Sequence, residues 1–346
     1  MKKIFAIAMA VAALVSCTSN KYTISGTSEE LVDGKWAFLG EQKGREFVKN
    51  DSVQIAGNSF TLKGEVETPY SAYIAIGESN ARPEQYIQVI VEPGVIEVKK
   101  TNPEHRSFSA TGTALNDKLA EFLNATWEMM SREDASEGEY IALQKSAVAE
   151  NIDNILGLKI FKESYYYFQP QEVIDLVDAM PEATQAEESV AKIKQAAEQA
   201  LKVQPGNPYI DIVEKDADGK EISLKSVVEN KNNKYVLLDF WASWCGPCMA
   251  EVPHLTATYK KFHKKGFEIY GVSFDRAREP WLKAIEEKKL DWIHVSALKM
   301  WDNQARHDYA VNSIPANFLI DCATGEIIAT QLRGEELEKK IAELLQ

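Results

Sequence analysis

The stretch Tyr235-Val-Leu-Leu-Asp-Phe-Trp-Ala-Ser-Trp-Cys-Gly-Pro-Cys248 runs a continuous apolar segment straight into a Cys-x-x-Cys pair. An apolar run with a single Asp inside it marks a strand buried on both faces. The pair falls where a helix should begin, from about Cys245 to Lys265. Free backbone N–H groups and the helix dipole favour an anion at that position. A thiol placed there drops from its ordinary pKa of about 8.5 into a range of roughly 3.5–7.5. Cys248 lies one turn on, on the same face, and can close a disulfide with little backbone movement. Pro247 is tolerated in the first turn, since its missing N–H had no helical partner. Cys245 is therefore expected to attack a substrate disulfide as thiolate, and Cys248 to resolve the mixed disulfide. A structural zinc site would need a second pair of ligands, and Cys322 stands alone, so no metal is expected. A purely structural disulfide across two residues closes too small a loop to add much stability.

The surrounding pattern alternates strands and helices. A strand at Phe267–Phe274 precedes a helix near Pro280–Lys289. Strands at Ala316–Ile320 and Glu326–Thr330 flank a turn, and a helix at Glu335–Leu344 closes the chain. Upstream, Tyr209–Lys215 and Glu221–Leu224 flank Asp218-Gly219, a strong hairpin signal. This is an α/β pattern with a mixed sheet. Gln204-Pro205-Gly206-Asn207-Pro208 reads as a linker, so a domain is expected over 205–346.

Two further regions precede it. Residues 113–203 read as helix: glycine thins out, Leu115, Leu119, Phe122, Leu123 and Thr126 keep a 3.6 period, and Pro170 and Pro181 mark breaks. Residues 18–112 read as an antiparallel β domain, a sandwich or small barrel. Tyr22-Thr-Ile-Ser-Gly, Ser59-Phe-Thr-Leu-Lys-Gly, Ser71-Ala-Tyr-Ile-Ala-Ile and Tyr86-Ile-Gln-Val-Ile-Val are β-branched and aromatic runs punctuated by turn residues.

The first twenty residues read as an address. Lys2 and Lys3 precede an apolar run from Ile4 to Val15, too short for the roughly 20 helical residues that span a bilayer. Leu14-Val15-Ser16-Cys17 resembles a bacterial lipobox. That resemblance implies a signal peptide over 1–16, lipidation of Cys17, and a periplasm-facing lipoprotein of the inner or outer membrane. A lipid anchor holds a protein at a membrane without a spanning helix. No other segment has 18 consecutive apolar residues, so no transmembrane helix is expected.

Length and charge set outer limits. A chain of 346 residues is too long for one ordinary core and predicts two or three domains. The chain holds 52 acidic and 39 basic residues, a net charge of −13. Residues 116–204 hold 17 acidic against 8 basic, so the acidity belongs mostly to the helical middle. Phosphate binding needs a basic stripe, so nucleic acid is not an expected partner.

From Val236 to Cys248 the chain closely resembles the signature strand and active site of the thioredoxin superfamily. Pro253, eight residues after Cys245, matches the kink proline of the first active-site helix. Ser313-Ile314-Pro315 matches the cis-proline loop. The long stretch before Pro315, with Trp281, Trp292 and Trp301, resembles the insertion of membrane-anchored TlpA/ResA-type thiol–disulfide oxidoreductases. The resemblance covers about 205–346 and implies a thioredoxin fold with a mixed sheet and helices on both faces. Residues 18–200 look like the β-plus-helical extension of Bacteroidetes members of that group.

Roles follow for single residues. Asp239 lies in the buried strand, where a carboxylate has a raised pKa and can exchange the proton of Cys248. Thioredoxins carry an acid there. Glu251 completes Cys-x-x-Cys-x-x-Glu, where the TlpA/ResA-type group has an acid that tunes the cysteines. The two carboxylates can titrate as a coupled pair. A cis turn at Pro315 would face Ile314 toward the disulfide, its backbone open to pair with an extended substrate. Trp244 is expected on an apolar docking surface, with Trp241 divided between that role and core packing. His254 reads as a surface histidine, and Cys322 as an inert thiol in a turn.

These readings converge on a membrane-anchored periplasmic thiol–disulfide oxidoreductase, a reductase of protein disulfides that needs no cofactor. Reduction in an oxidising compartment calls for a membrane thiol-shuttling electron donor. Two alternatives remain open. One is a thiol peroxidase on the same fold, which favours a lone peroxidatic cysteine. The other is a binding lipoprotein whose N-terminal region recruits the substrate of the redox domain.

Overall fold

Burial alternates along Lys21–Thr27 (β1), with Tyr22, Ile24 and Gly26 inward, the period of a strand covered on one face. The computed structural model describes residues 20–44, 46–79, 81–100 and 108–346; the signal-like stretch and Cys17 lie outside them. Seven more strands follow: β2 (Trp36–Lys43), β3 (Glu46–Gln54), β4 (Ser59–Glu65), β5 (Tyr70–Gly77), β6 (Gln85–Val91), β7 (Gly94–Lys99) and β8 (Ser109–Thr111). They form two four-stranded sheets, ordered β4-β1-β7-β8 and β3-β2-β5-β6. Ile24, Leu62 and Ile96 from the first and Leu39, Ile74 and Val89 from the second join one apolar core. That is a sandwich, antiparallel except where β1 runs parallel to β7.

The helical stretch comprises α1 (Ala114–Met130), α2 (Glu137–Glu150), α3 (Ile155–Ser164), α4 (Pro170–Ala179), α5 (Glu182–Gln185) and α6 (Glu188–Leu201). Asn116 in α1 is fully buried, and its amide accepts from the Ile90 N–H at 2.9 Å and donates to the Ile90 carbonyl at 2.7 Å. That substitutes for a missing ladder partner on β6. Ser136 and Glu139 form a capping box at the start of α2.

The chain divides into two compact units, Met1–Phe168 with Ala179–Thr184, and Gln169–Asp178 with Gln185–Gln346. The helices thus do not form a unit of their own. α6 belongs with the second unit, where Gln199 donates to the Asp308 carbonyl at 2.7 Å.

The second unit continues through β9 (Val213–Lys215), β10 (Glu221–Ser223), α7 (Leu224–Val228), β11 (Tyr235–Trp241), α8 (Gly246–Phe262), β12 (Phe267–Ser273), α9 (Arg278–Lys288), β13 (Ile293–Val295), α10 (Gln304–Asp308), β14 (Ala316–Asp321), β15 (Glu326–Thr330) and α11 (Gly334–Leu344). Its main sheet has the order β13-β12-β11-β14-β15. β12 lies parallel to both β11 and β13, whereas β14 is antiparallel to both β11 and β15. β11 is central and buried from Val236 to Trp241, as its apolar run predicts. Phe240 meets Phe274, Tyr309 and Phe318, with ring centroids 5.7, 5.6 and 6.1 Å away. This rigid strand delivers the cysteine pair at its carboxyl end, where α/β sheets place their sites. Among the described residues, no helix is long and apolar enough to cross a membrane.

Candidate active site

Cys245 is the N-cap of α8, and its side chain accepts the Cys248 N–H at 3.1 Å. Pro247 sits in the first turn and Pro253 inside the helix. Cys245 and Cys248 form a disulfide with Cα atoms 5.2 Å apart. The Ile314–Pro315 bond is cis, and the Ile314 carbonyl oxygen lies 3.7 Å from Cys245 Sγ. The backbone edge of the proline loop therefore touches the Cys245 sulfur.

The loop before the pair is held by a buried acid. Asp275 accepts the Ser243 N–H at 2.9 Å, the Ser243 hydroxyl at 2.5 Å and the Ser273 hydroxyl at 2.7 Å. Trp244 follows and is 49% exposed. Its ring lies 6.5 Å from that of Trp301, which packs edge-on to Phe274 at 5.2 Å. Trp241 is buried instead, 5.3 Å from the His294 ring. Burial pushes the His294 imidazole down to about 3, so the ring is neutral.

Two carboxylates on the elements that carry the pair interact electrostatically. Asp239 on β11 and Cys248 on α8 line one narrow cavity with Met249, Val252 and Trp292. Burial pushes the Asp239 carboxyl up to about 7; Arg333 opposes that rise and Glu251 adds to it. An acid poised near neutral pH suits proton exchange. Glu251, one turn beyond Cys248, accepts the Gly334 N–H at 2.9 Å. Gly334 opens α11, so the carboxylate sits where that helix presents free N–H groups.

The AhpC/TSA family model matches residues 205–329, and a model for a domain of unknown function, DUF4369, matches residues 22–119. Thiol-disulfide oxidoreductase ResA of Bacillus thuringiensis subsp. konkukian is 30% identical over 144 residues, covering 42% of this chain and 78% of that protein. The chain belongs to the ResA family of thiol-disulfide oxidoreductases. Among solved structures, the thioredoxin domain of a thiol-disulfide oxidoreductase from Bacteroides vulgatus is 37% identical, with a TM-score of 0.38, over 41% of this chain and 99% of that one. A thiol-disulfide oxidoreductase from Bacteroides fragilis is 33% identical, with a TM-score of 0.37, over 40% of this chain and 100% of that one.

In this ResA-family chain all seven predicted residues belong to one unit: Asp239 within β11, Trp244 and Cys245 in the loop after it, Cys248 and Glu251 on α8, and Ile314 and Pro315 in the loop before β14. His254 is exposed on α8. Cys322 is a half-buried free thiol, pushed up to about 12 by burial and by Asp321, as befits an unreactive sulfur. Sequence reasoning missed Asp275, Arg333 and the N–H of Gly334. Asp275 carries a faint signal, an acid two residues after the buried strand β12. Arg333 carries none, because Pro315, Asp239 and Glu251 lie far away along the chain.

Proposed function

We propose that this ResA-family protein is a lipid-anchored, periplasm-facing reductase of protein disulfides. The observation that carries the reading is the Cys245 sulfur at the start of α8, accepting the Cys248 N–H beside the Ile314 carbonyl. That site stabilises a thiolate and offers a backbone edge to an extended substrate.

The reaction starts from the reduced pair. The Cys245 thiolate attacks one sulfur of the substrate disulfide; that S–S bond breaks, and the leaving sulfur takes a proton as a thiol. Cys248 gives its proton to Asp239 and attacks Cys245 Sγ. The mixed disulfide breaks, the Cys245–Cys248 bond forms, and the second substrate sulfur leaves and is protonated. Two electrons pass from the pair to the substrate; of the two protons the substrate sulfurs take up, one is the Cys248 proton released again from Asp239 and the other comes from solvent. Gly246-Pro247 between the cysteines resembles reducing thioredoxins more than strong oxidants. The oxidised pair must be re-reduced, and in an oxidising compartment the electrons would come from a membrane thiol-shuttling donor. Cys17 would carry the lipid, and Trp244 with Trp301 would receive apolar substrate residues.

The test is a Cys248→Ala variant expressed in the membrane-anchored full chain. We expect mixed disulfides on Cys245 that dithiothreitol releases and that identify oxidised protein substrates. Absence of such adducts would contradict the reading. Peroxide consumption without any disulfide substrate would point to the peroxidase alternative instead.

A further inference from the structure

The turn between β15 and α11 is tied to the strand that follows the proline loop. Gln331 donates its N–H to the Asn317 carbonyl at 2.9 Å. The Asn317 amide donates to the Leu332 carbonyl at 2.8 Å and accepts the Leu332 N–H at 2.9 Å. From this turn Arg333 donates through Nη2 to the Pro315 carbonyl and, at 2.8 Å, to Gln331 Oε1. Its Nη1 donates to the Leu332 carbonyl at 2.9 Å. The next residue, Gly334, holds Glu251. One residue thus grips the loop that carries Ile314, and its neighbour grips the helix that carries the cysteines.

We propose that Arg333 is a positioning residue of the exchange reaction, fixing the Pro315 loop while setting a permanent positive charge beside the Asp239–Glu251 pair. The proposal rests on the reductase reading and deepens it. Guanidinium is protonated at any working pH, and its planar fork holds several acceptors in fixed directions, whereas an ammonium is a compact point charge with three rotatable donors. The titratable or charged groups facing Asp239 are Glu251 on α8, Arg333 before α11 and, in the reduced pair, the Cys248 thiol. The neutral His294 on β13 lies behind Trp241. Arg333 is therefore the cation that opposes the burial of Asp239. Without it the Asp239 carboxyl should titrate higher, and less of it should be ready to take the Cys248 proton at pH 7.

The test compares the parent, Arg333→Gln and Arg333→Lys by two readouts. One is a 13C carboxyl titration of Asp239 in the oxidised protein; the other is the pH profile and KM of insulin-disulfide reduction. We expect Arg333→Gln to raise the Asp239 midpoint by about half to one unit. We expect it to move the acid limb of the rate profile upward by the same amount and to raise KM about threefold. Arg333→Lys should keep the parental midpoint, since the charge remains, and still raise KM about threefold. An Arg333→Gln variant with a parental midpoint, or an Arg333→Lys variant with a parental KM, overturns the proposal. If Arg333→Gln fails to fold, the Lys variant decides alone. A parent unable to reduce insulin would contradict the reductase reading, while the midpoint comparison would still decide the role of Arg333.

Discussion

Cys248 donates its backbone N–H to the sulfur of Cys245 across 3.1 Å. The two cysteines are almost equally buried, at 3% and 4% exposure, so access does not choose between them. Helix position does: Cys245 is the N-cap and faces the free N–H groups, whereas Cys248 donates one of them. The reduced protein should therefore alkylate first at Cys245. Treatment with limiting iodoacetamide near pH 6, read by peptide mass spectrometry, should label Cys245 at least about tenfold over Cys248. Equal labelling would contradict the assignment.

Asp239 makes stability pH-dependent. Its carboxyl is raised to about 7 in the folded protein from an ordinary 3.8. The folded state then binds more protons than the unfolded one between those values, so this group's contribution to stability falls as pH rises from about 4 to 7. Asp239→Asn removes that penalty. The variant should gain stability over the parent at pH 8, on the order of 4 kcal/mol at most, and little near pH 4. Urea denaturation of the oxidised proteins at both pH values checks this. At pH 7 the same variant should reduce insulin at least about a hundredfold more slowly, since a general base is lost.

His294 has the opposite sign. Burial lowers its pKa to about 3, well below the ordinary 6.5. The unfolded chain takes up that proton first, so the stability this residue contributes is present above about 6.5 and lost as pH falls toward 3. The His294 Cε1–H resonance should stay flat from pH 8 to pH 4. A midpoint near 6.5 would show that the ring reaches solvent.

Asp275 holds the loop that presents Trp244 and Cys245. Asp275→Ala would leave the buried Ser273 donor and the part-buried Ser243 donors unpaired, at a cost of about 2–5 kcal/mol. Denaturant titration measures the loss. Trp244→Ala should leave stability within about 0.5 kcal/mol, since the residue is half exposed and lies outside the core. Its KM for a protein disulfide should rise several-fold.

The redox unit was largely legible because its signals are local. The apolar run of β11, the pair beside it and the turn residues around β14 and β15 each lie within one short stretch, and the structure places them as read. β3 was not legible. Its nine residues are mostly exposed, so no alternation of apolar side chains announces it, and the ladder to β2 makes it a strand. β13 is three residues long and has too few positions to show a period. The helices of 113–203 were legible as helices, but a helical period says only that one face is apolar, not which unit covers it. Arg333 was invisible for a related reason: Pro315, Asp239 and Glu251 lie 18 to 94 positions earlier in the chain. A basic residue ahead of a helix reads as surface until the sheet brings those groups together.

Cys245 as the nucleophile of disulfide exchange is the assignment on which the proposed reaction depends. The most direct measurement is the initial rate of insulin-disulfide reduction, with dithiothreitol as electron source, by the parent and by Cys245→Ser. The parent should accelerate reduction, and Cys245→Ser should fall to the rate of dithiothreitol alone. A Cys245→Ser variant that reduced insulin at the parental rate would contradict the assignment of Cys245 as nucleophile.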